Sequence, residues 1–186
     1  MTWRLLMIFL ACSGLLAGCN DYKIAKLSYT NMSGAYRLGP SDQLRVMVFG
    51  QKEMSNRYQV DSTGRISIPL VGAVKVHGRT TRQVERIIVS RLQSANIVND
   101  PQVSIEVTSY RPFFIQGEVK SSGSYPFQVG LTFEKAIAAS GGYTIHANKK
   151  YFVVSRMIGN KLEKYKVTPD HLVHPGDSIT VKERWF

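Results

Sequence analysis

"GPSDQLRVMVFG", residues 39–50, is echoed at the far end of the chain by "HPGDSITVKERWF", residues 174–186. The shared pattern is Asp-x-(Leu/Ile)-x-Val, beginning at Asp42 and at Asp177. In the first copy Leu44, Val46 and Val48 alternate with Gln43, Arg45 and Met47, which predicts a strand buried on one face. In the second copy Ile179, Val181 and Trp185 share one face and predict a closing strand. Lys182, Glu183 and Arg184, with Asp177 nearby, argue against burial of this ending in lipid.

The chain between the two copies reads as two small α+β units. Arg57–Val60 predicts a short strand, and "DSTGR" (61–65) is turn chemistry. Ile66 and Ile68 alternate until Pro69, and Ala73–Val76 is another short apolar piece. Thr80 and Gln83 form a capping box for a helix whose apolar face is Val84, Ile87, Ile88 and Leu92. Arg82, Arg86 and Arg91 lie off that face, either solvated or turned to an anionic partner. After Pro101, Val103, Ile105 and Val107 predict a strand, and Arg111-Pro112 marks a boundary. Beyond it, Phe113–Val119 and Tyr125–Val129 read as strands. A second helix starts at Thr132 and stops at Gly141-Gly142. Tyr151–Ser155 and Lys161–Val167 flank a Gly159-Asn160 hairpin turn. Each half loosely follows strand, strand, helix, then three strands.

The first residues set the compartment. Arg4 precedes an apolar run from Leu5 to Leu16, and no acidic residue occurs before Asp21. That is a secretory leader, shorter than the about 20 apolar residues of a comfortable membrane span. It ends Leu-Ala-Gly-Cys, similar to the lipobox of bacterial lipoproteins, the alternative being an ordinary leader with a chance cysteine. Cleavage after Gly18 would leave Cys19 as an N-palmitoyl, S-diacylglyceryl terminus. Cys12, the other cysteine of two, would leave with the leader, so no disulfide is expected in the mature chain. Asn20, rather than Asp, favours outer-membrane sorting, and residues 19–35 read as a polar tether.

Composition of 44% hydrophobic and 20% charged residues indicates a folded chain, and the +11 formal charge favours anionic partners. Export makes nucleic acid an unsuitable partner. No nucleophile with its base, metal-ligand spacing or phosphate loop stands out, and no cofactor, metal site or catalytic residue is expected. His171-x-x-His174 is too sparse for zinc. Phe113, Phe114, Tyr125 and Phe127 suit either sugar stacking or core packing.

"YRLGPSDQLRVMVFG", "VDSTGRISIPLVGAVKVHGRT" and "VNDPQVSIEV" resemble the polysaccharide export domain of bacterial outer-membrane exporters. The resemblance rests on Pro40, Asp42, Gly64, Pro69, Gly72 and Pro101, with Ser41 replacing a usual glycine. "IQGEVKSSGSYPF" and "LTFEKAIAASGGY" resemble the β-grasp module called SLBB, through Gly117, Gly123, Gly141 and Gly142. Pro175, Gly176 and Asp177 match the family's closing strand. The resemblance implies a leader (1–18), a lipidated tether (19–35), an export domain (36–110) and an SLBB domain (111–186). It further implies a non-enzymatic, lipid-anchored protein of the outer membrane facing the periplasm. Such a protein forms a homo-oligomeric ring that passes a polysaccharide, here an acidic one. It meets an inner-membrane polysaccharide copolymerase. The ending after Phe186 resembles the short members of the family, without the terminal membrane-crossing helix of larger ones. The competing expectations are a periplasmic adaptor lipoprotein that binds a glycan or protein without a conduit, and a lipid-anchored polysaccharide-cleaving enzyme.

Overall fold

The computed structural model describes residues 23–24, 35–159 and 161–184. Gly18, Cys19 and Trp185 lie outside the described residues. In chain order the strands are β1 (Lys23–Ile24), β2 (Gln43–Val48), β3 (Asn56–Gln59), β4 (Arg65–Ile68), β5 (Gly72–Lys75), β6 (Val103–Ser109), β7 (Phe113–Gly117), β8 (Gly123–Tyr125), β9 (Phe152–Ile158), β10 (Lys161–Val167) and β11 (Ser178–Val181). Helix α1 (Thr81–Ser94) follows β5, and α2 (Phe133–Ala139) follows β8. The α+β expectation holds, and the buried side chains form two separate cores.

In the first domain β2 lies between β3 and β6, antiparallel to both, with Val46 opposite Asn56 and Ile105. Leu44, Val46 and Val48 point into a core completed by Ile66 and Ile68 of β4, Val74 of β5, and Val84, Ile88 and Leu92 of α1. The helix starts where its capping box closes. Thr80 Oγ1 accepts from the Gln83 N–H at 3.3 Å, and Gln83 Oε1 accepts from the Thr80 N–H at 2.9 Å. The order differs from the expected one, with four strands before α1 and one after it. The short segments at 57–60 and 73–76 each find an antiparallel partner, β3 against β2 and β5 against β4.

The second domain is one mixed sheet in the order β1-β10-β9-β11-β7-β8. The closing strand β11 runs parallel to β7 and antiparallel to β9, and so becomes central. Ile179 and Val181 are buried with Phe113, Ile115, Phe133, Ile137, Phe152 and Val154. Phe113 and Phe127 are core residues, whereas Phe114 is half exposed. Helix α2 is capped by Thr132 and ends before Gly141 and Gly142, both at positive φ. The strand expected at 125–129 is instead β8, which stops before Pro126, a residue with no N–H for a ladder. Strand β9 runs on to Ile158, because β10 pairs with it residue for residue from Lys161 to Val167. Two residues of the expected tether form β1, parallel to β10, with Lys23 opposite Tyr165. An open sheet edge carries unpaired N–H and C=O groups that such a segment satisfies.

Gly117 closes β7 at φ +91°, and a Cβ there would lie 2.2 Å from the Val181 carbonyl oxygen of β11. Strained backbone and main-chain overlap together predict that Gly117→Ala destabilises the protein by about 2–5 kcal/mol. Gly123→Ala, with open space around its position, is expected to shift stability by less than about 1 kcal/mol. Urea midpoints of the two variants check the pair.

Candidate functional site

The two echoing stretches build the same turn. In Gly39-Pro40-Ser41-Asp42 the Asp42 N–H donates to the Gly39 carbonyl at 3.2 Å, and the Asp42 carboxylate accepts from the Gly39 N–H at 2.8 Å. In His174-Pro175-Gly176-Asp177 the same two bonds measure 3.1 Å and 2.8 Å. Pro sets the first corner, and the third residue takes positive φ, +71° at Ser41 and +85° at Gly176. Both aspartates are fully buried, so each needs donors and a cation to offset the loss of water.

Asp42 finds them across the domain boundary. Its carboxylate accepts from the Tyr36 hydroxyl at 2.7 Å, from the Arg111 N–H at 2.9 Å and from Arg111 Nη1 at 3.4 Å. Burial, then the Asp42 charge, hold the Tyr36 hydroxyl far above the usual phenol range, so it stays a donor. Arg111 Nε donates to the Pro175 carbonyl at 3.1 Å, and the Gly176 N–H donates to the Pro112 carbonyl. Arg111 therefore lies between the two turns. A Cβ on Gly39 would come within 2.0 Å of Arg111 Nη1. Tyr36, Tyr110 and Phe127 continue the junction edge-to-face, with centroids 4.9 Å and 5.5 Å apart. Asp177 pairs within its own domain, accepting from Arg156 Nε and Nη2 at 2.7 Å each.

The remaining motif positions are structural turns. Gly64 closes the Asp61 turn at φ +75°, packed on His77, while Pro69 and Gly72 bracket the β4–β5 connection. Pro101 is buried just ahead of β6. His171 bonds Thr168 through its ring, whereas His174 uses its N–H on Asp177. Among the described residues no group of three or more His, Cys, Asp and Glu is arranged to hold a metal ion, and no helix is long and apolar enough to cross a membrane.

One surface carries concentrated charge. Arg79, Gln83, Arg86, Ile87, Ser90 and Arg91 line a shallow groove of about 520 Å³ along α1. Arg91 is committed to the β4–β5 hairpin, donating to the Ala73 carbonyl at 2.7 Å. Among the described residues no side-chain partner meets the guanidinium of Arg79 or Arg86. Glu85, the one acid of α1, is held by the Ile105 N–H at 2.8 Å. The groove thus offers guanidinium forks, an amide and a hydroxyl to an anion, beside one aliphatic side chain. Sequence reasoning noted Arg86 and Arg91 but missed Arg79 and Ser90. The 79-83-86-90 spacing along one helical stripe is the signal that could have found them. Arg111, read as a boundary marker, and Arg156 were also missed, because their partners lie far away in sequence.

This chain carries a polysaccharide biosynthesis/export domain followed by an SLBB domain. Residues 30–108 match the family described as polysaccharide biosynthesis/export protein, and residues 112–165 match the SLBB domain. It is homologous to the exopolysaccharide production protein ExoF of Rhizobium meliloti, at 34% identity over 64% of this chain and 33% of that protein. The EPS I polysaccharide export outer membrane protein EpsA of Ralstonia solanacearum is 35% identical over 47% of this chain and 24% of its own. The polysialic acid transport protein KpsD of Escherichia coli is 29% identical over 48% and 16%. The matched segment spans about a third or less of each relative's length.

Two outcomes follow from the junction. Each Asp42 oxygen accepts from a backbone N–H, Oδ1 from Arg111 and Oδ2 from Gly39, so the amide nitrogen of Asp42→Asn would face a donor whichever way it turned. A loss of about 3–5 kcal/mol is expected, read from urea unfolding. Burial, reinforced by Arg156, pushes the His174 imidazole below its ordinary value despite the opposing pull of Asp177. The folded state therefore takes up this proton less readily than the unfolded chain. The corresponding stability is complete above the unfolded value of about 6.5 and falls as pH drops below it. His174→Gln should flatten thermal stability between pH 7 and pH 5, measured by calorimetry.

Proposed function

We propose that this protein is a component of an exopolysaccharide or capsule export channel at the outer membrane. It is anchored through a lipidated Cys19, faces the periplasm, and assembles as a ring through which an acidic polymer passes. An inner-membrane polysaccharide copolymerase is its partner below the ring. The observation that carries this reading is the unbroken tandem of export and SLBB domains, together with homology to proteins named for polysaccharide export and transport. The leader ending in Leu-Ala-Gly-Cys supports the anchor. The α1 groove supports an acidic polymer, since Arg79 and Arg86 present guanidinium groups to carboxylated sugars. The work of the protein is then to bind and conduct, with no bond made or broken.

Cys19→Ser is expected to leave the fold intact while abolishing membrane attachment and reducing polymer in the medium to background. Normal secretion by that variant would overturn the anchor. Electron microscopy of the lipidated protein should show rings with an open centre, and a monodisperse monomer in a bilayer would refute the conduit. Replacing Arg79 and Arg86 together by Gln should weaken binding of an acidic oligosaccharide by about tenfold or more, given about 1.5–3 kcal/mol for a hydrogen bond to a charged group. A neutral oligosaccharide should be unaffected in the same titration.

A further inference from the structure

The β9–β10 hairpin ends in an apolar tip with no cover among the described residues. Met157, Ile158 and Leu162 are 58%, 50% and 58% exposed, and Leu162 stands opposite Met157 in the ladder. Lys161 and Lys164 are exposed beside them. Of the other charged side chains on these two strands, Arg156 is paired with Asp177, Lys166 lies over the Tyr151 ring, and Glu163 accepts from the Tyr165 hydroxyl. The tip thus combines three apolar side chains with two ammonium groups, none of them covered or paired among the described residues, the composition of a segment that sits among anionic lipid headgroups.

The direction of β1 gives this tip a neighbour. Because β1 is parallel to β10, the chain enters β1 from the side of the hairpin turn. Tyr165, opposite Lys23, is three strand residues from Leu162, about 10 Å. Cys19 precedes Lys23 by four residues, which span at most about 14 Å. Acyl chains on Cys19 would thus be attached within about 14 Å of Lys23, on the side of the sheet from which the hairpin turn also projects.

We infer that the β9–β10 tip is a second membrane contact, with Met157, Ile158 and Leu162 seated in the headgroup layer beside the lipidated terminus. The SLBB domain is thereby held against the bilayer in one orientation instead of swinging on a tether. The inference rests on the lipidation of Cys19 proposed above. Three apolar side chains make a small patch for a stable protein interface, whereas the acyl anchor supplies most of the affinity for a lipid surface.

The test uses the full lipidated chain in phosphatidylethanolamine/phosphatidylglycerol vesicles. Once Cys12 has left with the leader and Cys19 carries lipid, Leu162→Cys provides a single thiol for a bimane label. Ile158→Cys provides a second tip position. Leu70→Cys, 68% exposed on the β4–β5 connection, is the control. Headgroup-attached nitroxide lipids are expected to quench the tip labels at least twofold and the control little. Vesicle-bound protein with unquenched tip labels would overturn the tip contact and leave the anchor standing. Tip labels shielded from aqueous iodide yet unquenched by lipid would assign the tip to a protein partner and also overturn it. Protein that fails to float with the vesicles would refute the anchor, and the tip contact with it.

Discussion

A single buried carboxylate organises the join between the two halves of this protein. Asp42 has no access to water, and every group touching its side chain is a donor. The donors come from the strand's own turn, from Tyr36, and from Arg111 in the three-residue connection between β6 and β7. Arg111 then reaches the carbonyl of Pro175 in the last turn of the second domain. One charge pair thus fixes the start of the first sheet, the connection, and the approach to β11. An uncompensated buried charge is costly, so these parts are held together more firmly than a short linker alone would hold them.

The Asp177 turn uses the same local device with a different cation. The bond pair between residues i and i+3 recurs, but Arg156 of the adjacent strand neutralises the carboxylate. The repeated turn leads into a strand paired on both sides in each domain, β2 in one and β11 in the other, and Arg111 bonds to both turns. Ser41 holds a left-handed backbone conformation that Gly176 adopts more cheaply, a cost the Asp42 network offsets.

The outward-facing chemistry is divided between the domains. The first presents guanidinium groups along α1, whose opposite face is fully committed to the core through Val84, Ile88 and Leu92. The second presents the apolar and basic hairpin tip, on the side from which the N-terminal strand arrives. These are the two contacts that the proposed conduit would use, one for the polymer and one for the membrane.

Local order was legible in the residues because its causes lie within a few positions. Alternation marked β2, β4 and β6, the Thr80–Gln83 box marked the start of α1, and Gly141-Gly142 marked the end of α2. The two halves of the echo could be matched by eye. Pairings across long separations were not legible. Arg111 meets Asp42 across 69 positions and Arg156 meets Asp177 across 21, and nothing near either arginine announces its partner. The burial of β11 between β7 and β9, the capture of β1 by β10, and the commitment of Arg91 but not Arg79 or Arg86 depend on which edges and faces chain reversal brings together. The sequence by itself determined the Thr80–Gln83 cap, the turns and the alternating strands β2, β4 and β6, because those follow from neighbours along the backbone. Only the tertiary structure decided which charges are spent on the fold and which remain for a ligand, because that depends on burial and on partners distant in the chain.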